Sequence, residues 1–340
     1  MPSSRSLWGK PAAQAPRRTL LLALFLATIL TVTLPRSGAA PHETAYAAPT
    51  APLWSTSYYM ATVSGTTLYN LGCELGRRDL SVPGAQDNIV VLDFGMPAFR
   101  NGAYGTILFN NTFAATEEIA AAAQQFGKGY YYCTGSDLAS YVRIAIGTSN
   151  YGRQVTYSHG RAWAQMVNQV AVWLYNSGYS SQVHAAGASD MEMSWNSPPT
   201  TRAWVDGYSS ANWLNLYNYG DAAGCPPYGS CGTSSYPEWT QDDVWYISWG
   251  AKPAWPLPEI YLTNGGNAQQ WYRLSLYAYL ARGGRMHIAG TLTQYQACQQ
   301  VGCHPATANT PQQGWSQLWD ALNADPRTAQ SLRWSSDIRW

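Results

Sequence analysis

Charge is scarce in this chain. Asp, Glu, Lys and Arg make up 11% of 340 residues, and the only lysines are Lys10, Lys128 and Lys252. A nucleic-acid partner needs a dense basic face that displaces counterions from phosphates, so such a partner is set aside. Long apolar runs are also missing: the uncharged run 19–34 has 16 residues, short of the roughly 20 that cross a bilayer as a helix. Beyond it there is no G-x-S-x-G elbow, no H-E-x-x-H helix and no Walker-type loop, which removes the serine-elbow, helix-borne zinc and phosphate-loop chemistries. No internal repeat or Pro/Ser linker marks a second domain. With 46% apolar residues the chain is nevertheless no candidate for disorder, and its surface must be made polar by Ser, Thr, Asn, Gln and Tyr.

What is present begins at the N-terminus. Arg5, Lys10, Arg17 and Arg18 precede the apolar run, and Ser37-Gly38-Ala39-Ala40 and Ala45-Tyr46-Ala47 follow it. This is the layout of an export signal, cleaved near residue 40 or 47; a retained signal anchor is the competing reading, and Arg17-Arg18 also resembles a twin-arginine signal. The expected division is 1–47 as signal peptide and short leader and 48–340 as one barrel domain, secreted or extracellular and monomeric, with no transmembrane segment after cleavage. Retention at the cell surface stays open. Without residues 1–47 the chain keeps 15 basic and 18 acidic residues, a formal charge of −3. All six cysteines lie in that part, and an even count behind an export signal argues for disulfides. Fifteen pairings are formally possible. Cys225/Cys231 and Cys298/Cys303 each close a short, turn-rich loop, which leaves Cys73 and Cys133 as the long-range pair. Zinc at Cys298, Cys303 and His304 is the alternative, but no C-x-x-C pair supports it; no metal and no cofactor are expected.

Short apolar runs ended by Gly, Pro, Asn or Asp alternate with longer helical patterns, the rhythm of βα units. Strands are expected at 88–95, 141–147, 183–195, 213–219, 244–249, 258–262 and 286–292. Helices are expected from Thr116, at 158–177 with Ser158 as a cap, at 267–280, at 312–322 and at 328–332. An eighth strand is sought between Leu68 and Leu75 or near Tyr130. A closed parallel (β/α)8 barrel of the TIM type fits that count in one α/β domain; a doubly wound sheet is the alternative, without a Gly-rich turn after its first strand.

The stretch Gly187-Ala188-Ser189-Asp190-Met191-Glu192-Met193-Ser194-Trp195 carries the most chemistry. Residues two apart on a strand share a face, so Asp190 and Glu192 point one way and Met191 and Met193 the other. Crowded carboxylates repel, so one keeps its proton while another stays ionised. That divided pair is what glycosidic bond cleavage requires. Pairing with Arg202 or Arg143 is the purely structural reading of the same acids. Asp93, ending the first strand, is a third catalytic candidate; Asp221 and Glu259 rank behind it. Among 16 Trp and 24 Tyr, Trp195, Tyr219, Trp245, Tyr246 and Trp249 fall near expected strand ends and suit sugar stacking. Glu259 and Gln294 complete the expected substrate contacts. His159, His184 and His287 read as structural or peripheral.

The order of these motifs resembles the glycoside hydrolase family 25 type of lysozyme, over roughly residues 88–295. Val91-Leu92-Asp93-Phe94-Gly95 resembles that family's first-strand aspartate motif and Asp190-Met191-Glu192 its central D-x-E strand. Leu216-Tyr217-Asn218-Tyr219-Gly220 and Val244-Trp245-Tyr246-Ile247-Ser248-Trp249-Gly250 fall in the places of later strands. The chain departs from the family pattern in Phe-Gly after Asp93 and in Thr293-Gln294-Tyr295, where the family has Trp-Gln-Tyr. The resemblance implies a secreted glycoside hydrolase on a polysaccharide or cell-wall glycan such as peptidoglycan, with Glu192 as general acid and Asp190 and Asp93 placing or stabilising charge. A non-catalytic carbohydrate-binding or cell-surface protein on the same barrel is the alternative, and an exported hydrolase of another class is a third.

Overall fold

The computed structural model describes residues 49–225 and 231–340, so the reading of 1–47 as an export signal lies outside the described residues. The first strand, β1 (Ser55–Tyr59), leads into α1 (Gly65–Ser81) and β2 (Asp87–Asp93). A three-stranded antiparallel meander follows, β3 (Met96–Arg100), β4 (Ala103–Ile107) and β5 (Phe113–Ala115). Then come α2 (Thr116–Cys133), β6 (Tyr141–Ser149), α3 (Tyr157–Asn176), β7 (Val183–Asp190), α4 (Pro198–Ser209) and β8 (Leu216–Asn218). α5 (Gln241–Trp245) runs straight into a π turn, Tyr246–Gly250, before β9 (Ala254–Pro256) and α6 (Gly266–Arg282). β10 (Gly290–Thr293), α7 (Tyr295–Val301), α8 (Pro311–Asn323) and β11 (Trp334–Arg339) complete the chain.

Eight strands pair in parallel in the order β10-β11-β1-β2-β6-β7-β8-β9. The two ends of that order meet. Ala289 N–H donates to Pro256 C=O, Leu292 N–H to Pro258 C=O and Ile260 N–H to Leu292 C=O, each at 2.9 Å, with one bridge, Glu259 to Leu292. The result is a nearly closed eight-stranded parallel barrel with eight α-helices among the described residues, the architecture expected from the βα rhythm, and closure rules out the doubly wound sheet. The three disulfides join Cys73 to Cys133, Cys225 to Cys231 and Cys298 to Cys303, so the last two thiols are not available to zinc. Disulfides belong to an extracellular or otherwise oxidising environment. Among the described residues no helix is long and apolar enough to cross a membrane.

Several element boundaries differ from expectation for identifiable reasons. Residues 244–249 form a helix, because Thr240 caps its start: the Thr240 Oγ1 accepts the Asp243 N–H at 3.2 Å, and the Asp243 carboxylate accepts the Thr240 N–H at 3.0 Å. The strand expected at 258–262 lies upstream as β9, while Pro256 and Pro258 interrupt the ladder beyond it. Leu68–Leu75 and Tyr130 are helical, in α1 and α2. The strands that complete the barrel are β1 and β11, whose inner faces mix serine (Ser55, Ser57, Ser336) with Tyr59, Trp334 and Ile338. Ser57 and Ser336 hydroxyls bond each other at 2.7 Å and Ser57 Oγ accepts the Val91 N–H at 2.8 Å. Residues 328–332 are not helical; the Thr328 hydroxyl donates to Leu322 C=O at the end of α8. The cap of α3 is Thr156, not Ser158, with its Oγ1 accepting the His159 N–H.

Side chains alternate between two apolar layers. Val90, Leu92, Ile144, Ile146, Met191 and Met193 belong to the layer under the helices. Ile89, Val91, Ala145, Ala186, Ala188, Tyr217, Leu257, Leu292 and Ile338 fill the lumen. The N-terminal end of the lumen holds Trp255, Trp334 and Tyr217 within 6.1 Å of one another, with the Arg143 guanidinium over Trp334. Outside, the helices approach in pairs through glycine. A Cβ at Gly72 or Gly129 would lie 2.0 Å from a carbonyl of the facing helix in the α1/α2 pair, and Gly160 and Gly207 play the same part between α3 and α4.

Candidate active site

The lumen parity that places Ile89 and Val91 inside continues to Asp93, the last residue of β2. Ala186 and Ala188 lead likewise to Asp190, which ends β7, and Leu257 leads to Glu259. Four acidic side chains thus reach the C-terminal mouth of the barrel from strand ends or the loops just after them: Asp93, Asp190, Glu192 and Glu259. Asp221, beyond β8, adds a fifth charge felt by Asp190, Glu192 and Glu259. Asp190, Glu192 and Glu259 each offer a carboxylate oxygen, and these oxygens lie within 4.8 Å of one another. Such an all-oxygen set could also hold a hard cation.

No counter-charge reaches this group among the described residues. Arg202 pairs with Asp243 at 2.6 Å, and Arg143 sits over Trp334 at the other end of the lumen, so the two arginines that could have made the acids structural are used elsewhere. Burial raises every one of the acids. It lifts Asp93 to about 7 against the opposing Gly95 N–H, which donates to Asp93 Oδ1 at 2.8 Å, and the Tyr219 hydroxyl. Burial, with the Asp221 charge, lifts Glu192 to about 7. Asp190 and Glu259 rise well above the usual carboxylate range, through burial first and then the charges around them. Asp221 is raised by burial as well. Carboxyl groups this close cannot all be ionised at neutral pH.

The acids differ in how they are held. Glu192 follows the end of β7 and is only half-buried, yet its backbone is fixed by one side chain. Asn150 Oδ1 accepts the Glu192 N–H at 3.0 Å and Asn150 Nδ2 donates to the Glu192 C=O at 2.9 Å. The Ser194 hydroxyl donates to Glu192 Oε2 at 3.0 Å. Glu259 Oε1 accepts from the Tyr261 hydroxyl at 2.8 Å. Asp190 is 7% exposed, and its Oδ1 has no hydrogen-bond partner among the described residues.

Beside Asp190 opens a cavity of about 360 Å³, walled by Met96, Leu108 and Phe109 of the meander and by Tyr151 and Trp195, with Ser149 and Asn111 as further polar groups. Trp195 and Tyr151 meet edge to face with ring centres 5.7 Å apart. Phe109 also joins Tyr59 and Trp340 in an aromatic trio, with centroids 4.5 to 5.3 Å apart.

Of the expected site residues, Asp190, Glu192 and Glu259 come together, Asp93 lies just within, and Trp195 lines the cavity. Tyr219 lies below the acids and not on a stacking surface: it is buried and its hydroxyl donates to Thr148 C=O at 2.9 Å. Trp245, Tyr246 and Trp249 are not brought to the mouth, because they ride on α5 and its π turn. There Arg282 covers Trp245, Arg202 covers Tyr246 and Lys252 covers Trp249. Gln294 caps α7 and donates to Thr307 C=O at 3.1 Å. Asn150, Tyr151, Tyr261 and Phe109 were missed by sequence reasoning. Asn150 and Tyr151 directly follow the end of β6, where a barrel places its working residues; Phe109 carries no such signal, because the meander interrupts the βα rhythm. His159 is structural, accepting from Trp204 Nε1 at 3.0 Å and contacting Gly105 C=O at 2.8 Å.

Comparison with known proteins finds no family model, no curated protein and no solved structure that matches the chain.

Proposed function

We propose that this chain is an exported glycoside hydrolase acting on a polysaccharide, with the glycan of peptidoglycan as the first substrate to test. The carrying observation is the trio of carboxyl groups within 4.8 Å at the mouth of the barrel, with no cation among the described residues to neutralise them. In this reading Glu192, half-buried and raised to about 7, gives its proton to the glycosidic oxygen as the bond from that oxygen to the anomeric carbon breaks. Asp190, in its ionised form, supplies negative charge to the oxocarbenium-like carbon; the leaving sugar departs as an alcohol, and water then adds to that carbon and returns a proton to Glu192. Burial and the charge of Asp221 let Glu192 hold its proton. Trp195, Tyr151 and Phe109 give a sugar ring apolar faces to stack on. The N-terminal run 19–34 and the disulfides support export.

The test is reducing-sugar release from a panel of purified polysaccharides and bacterial cell walls, comparing the oxidised protein with Glu192→Gln. General acid catalysis is worth about 10²–10⁴ in rate, so the variant should lose about that factor while still binding the sugar. Binding by both proteins with release by neither would replace the hydrolase with a carbohydrate-binding protein on the same barrel.

A further inference from the structure

Two observations at the mouth of the barrel concern something other than a sugar. First, the oxygens offered by Asp190, Glu192 and Glu259 span no more than 4.8 Å. Two oxygens on opposite sides of a calcium ion stand about 4.6–5.2 Å apart and around magnesium about 4.0–4.2 Å apart, so the trio is compact enough for one hard cation of either size. Second, Asp190 Oδ1 is a buried acceptor with no donor in reach among the described residues, on a side chain that is 7% exposed and lies within this trio. A buried polar atom left without a partner costs about 1–3 kcal/mol, more when charged, so an unfilled acceptor of this kind asks for a positively polarised ligand. Among the described residues neither a hydroxyl nor an arginine supplies one, which leaves a neighbouring carboxyl's proton or a cation. The set is oxygen only, which favours calcium, manganese or magnesium over softer metals.

We propose that Asp190, Glu192 and Glu259 bind one hard divalent cation at the mouth of the barrel. Binding is argued from these ligand atoms alone and does not rest on the hydrolytic reading. When the cation is present, Glu192 is a ligand and not an acid, so the ion competes with the chemistry proposed for the same group.

The test uses chelator-treated, oxidised protein without substrate. Calcium, manganese or magnesium is titrated by calorimetry, and thermal unfolding is followed in parallel. One calcium per chain and a higher Tm with calcium are expected, and the magnesium and manganese titrations rank the three ions. Asp190→Asn and Glu259→Gln should each weaken calcium at least tenfold, while Asp242→Asn, on α5 among arginines, should leave it unchanged. A readout on the unaltered protein guards against misfolded variants: terbium, a calcium mimic, should luminesce when excited through Tyr261, whose hydroxyl touches Glu259, and calcium should quench that signal by displacement. Absence of heat, of a Tm shift and of terbium luminescence would overturn the site, as would calcium binding that persists unchanged when Asp190→Asn and Glu259→Gln are combined. Since no turnover is measured, failure here leaves the hydrolase reading standing, and absence of sugar release leaves this one standing.

Discussion

Asn150 grips Glu192 by both of its backbone polar groups, and the orientation of that carboxyl follows from the grip. The Asn150 side chain is itself buried and donates further to the Thr201 hydroxyl at 3.1 Å. Asn150→Ala should therefore act on placement and not on sugar affinity. A fall in kcat of about 10–100-fold with KM little changed is expected, since a displaced catalytic group costs about that much, and initial rates on the best substrate check it. The acids also set a pH dependence. Glu192 must hold its proton to act, so activity should decline as pH rises through about 7. For stability, Glu259 has a folded-state value well above the free one. Its contribution is therefore fully present below the unfolded value and lost as pH rises toward the folded one. Glu259→Gln removes that loss. The variant should melt higher than the parent at pH 7.5, by roughly 2–4 °C for each kcal/mol relieved, and the gain should shrink at pH 4.

At the scale of elements, the α1/α2 and α3/α4 pairs depend on glycines that let one helix touch the backbone of another. Gly160→Ala would set a methyl group 1.9 Å from the Trp204 carbonyl oxygen; the helices must separate, and a loss of at least about 1–3 kcal/mol in denaturant unfolding is expected. Much of this element order was legible. The apolar run of β2, the acids in the first turn of α2 and the amphipathic α3 announce themselves. β1 and β11 did not, because Ser55, Ser57 and Ser336 pair with each other at lumen positions and interrupt the apolar alternation that Tyr59, Trp334 and Ile338 would otherwise show. The site was half legible for a related reason. The D-x-E stretch obeys the two-residue period, so Asp190 and Glu192 could be placed on one face. The aromatic wall failed because Val244-Trp245-Tyr246-Ile247 is as apolar as a buried strand, and only the Thr240/Asp243 cap distinguishes it.

Across the whole molecule, the Cys73–Cys133 bridge ties α1 to the end of α2 over 60 residues. Restricting an unfolded loop of that length is worth about 4 kcal/mol in the chain-entropy account. Replacing both cysteines by serine should lower the denaturant midpoint accordingly, with the slope as an internal check on the compactness of the unfolded chain. The other two bridges span separations of 6 and 5 residues and should matter less to global stability.

The barrel closes along one line, where 256–260 meets 289–292 through a few backbone hydrogen bonds and a single bridge. Glu259 stands on that line, and Asp190 and Glu192 approach it from the β7 end of the neighbouring strands. When these groups lose their protons, like charge pushes Glu259 away from its neighbours at this sparsely bonded join, and the barrel becomes a vessel whose lid seam loosens from within. Amide exchange at 256–260 and 289–292, corrected for its intrinsic rate, should then quicken with rising pH while the β2–β6 pairing stays slow.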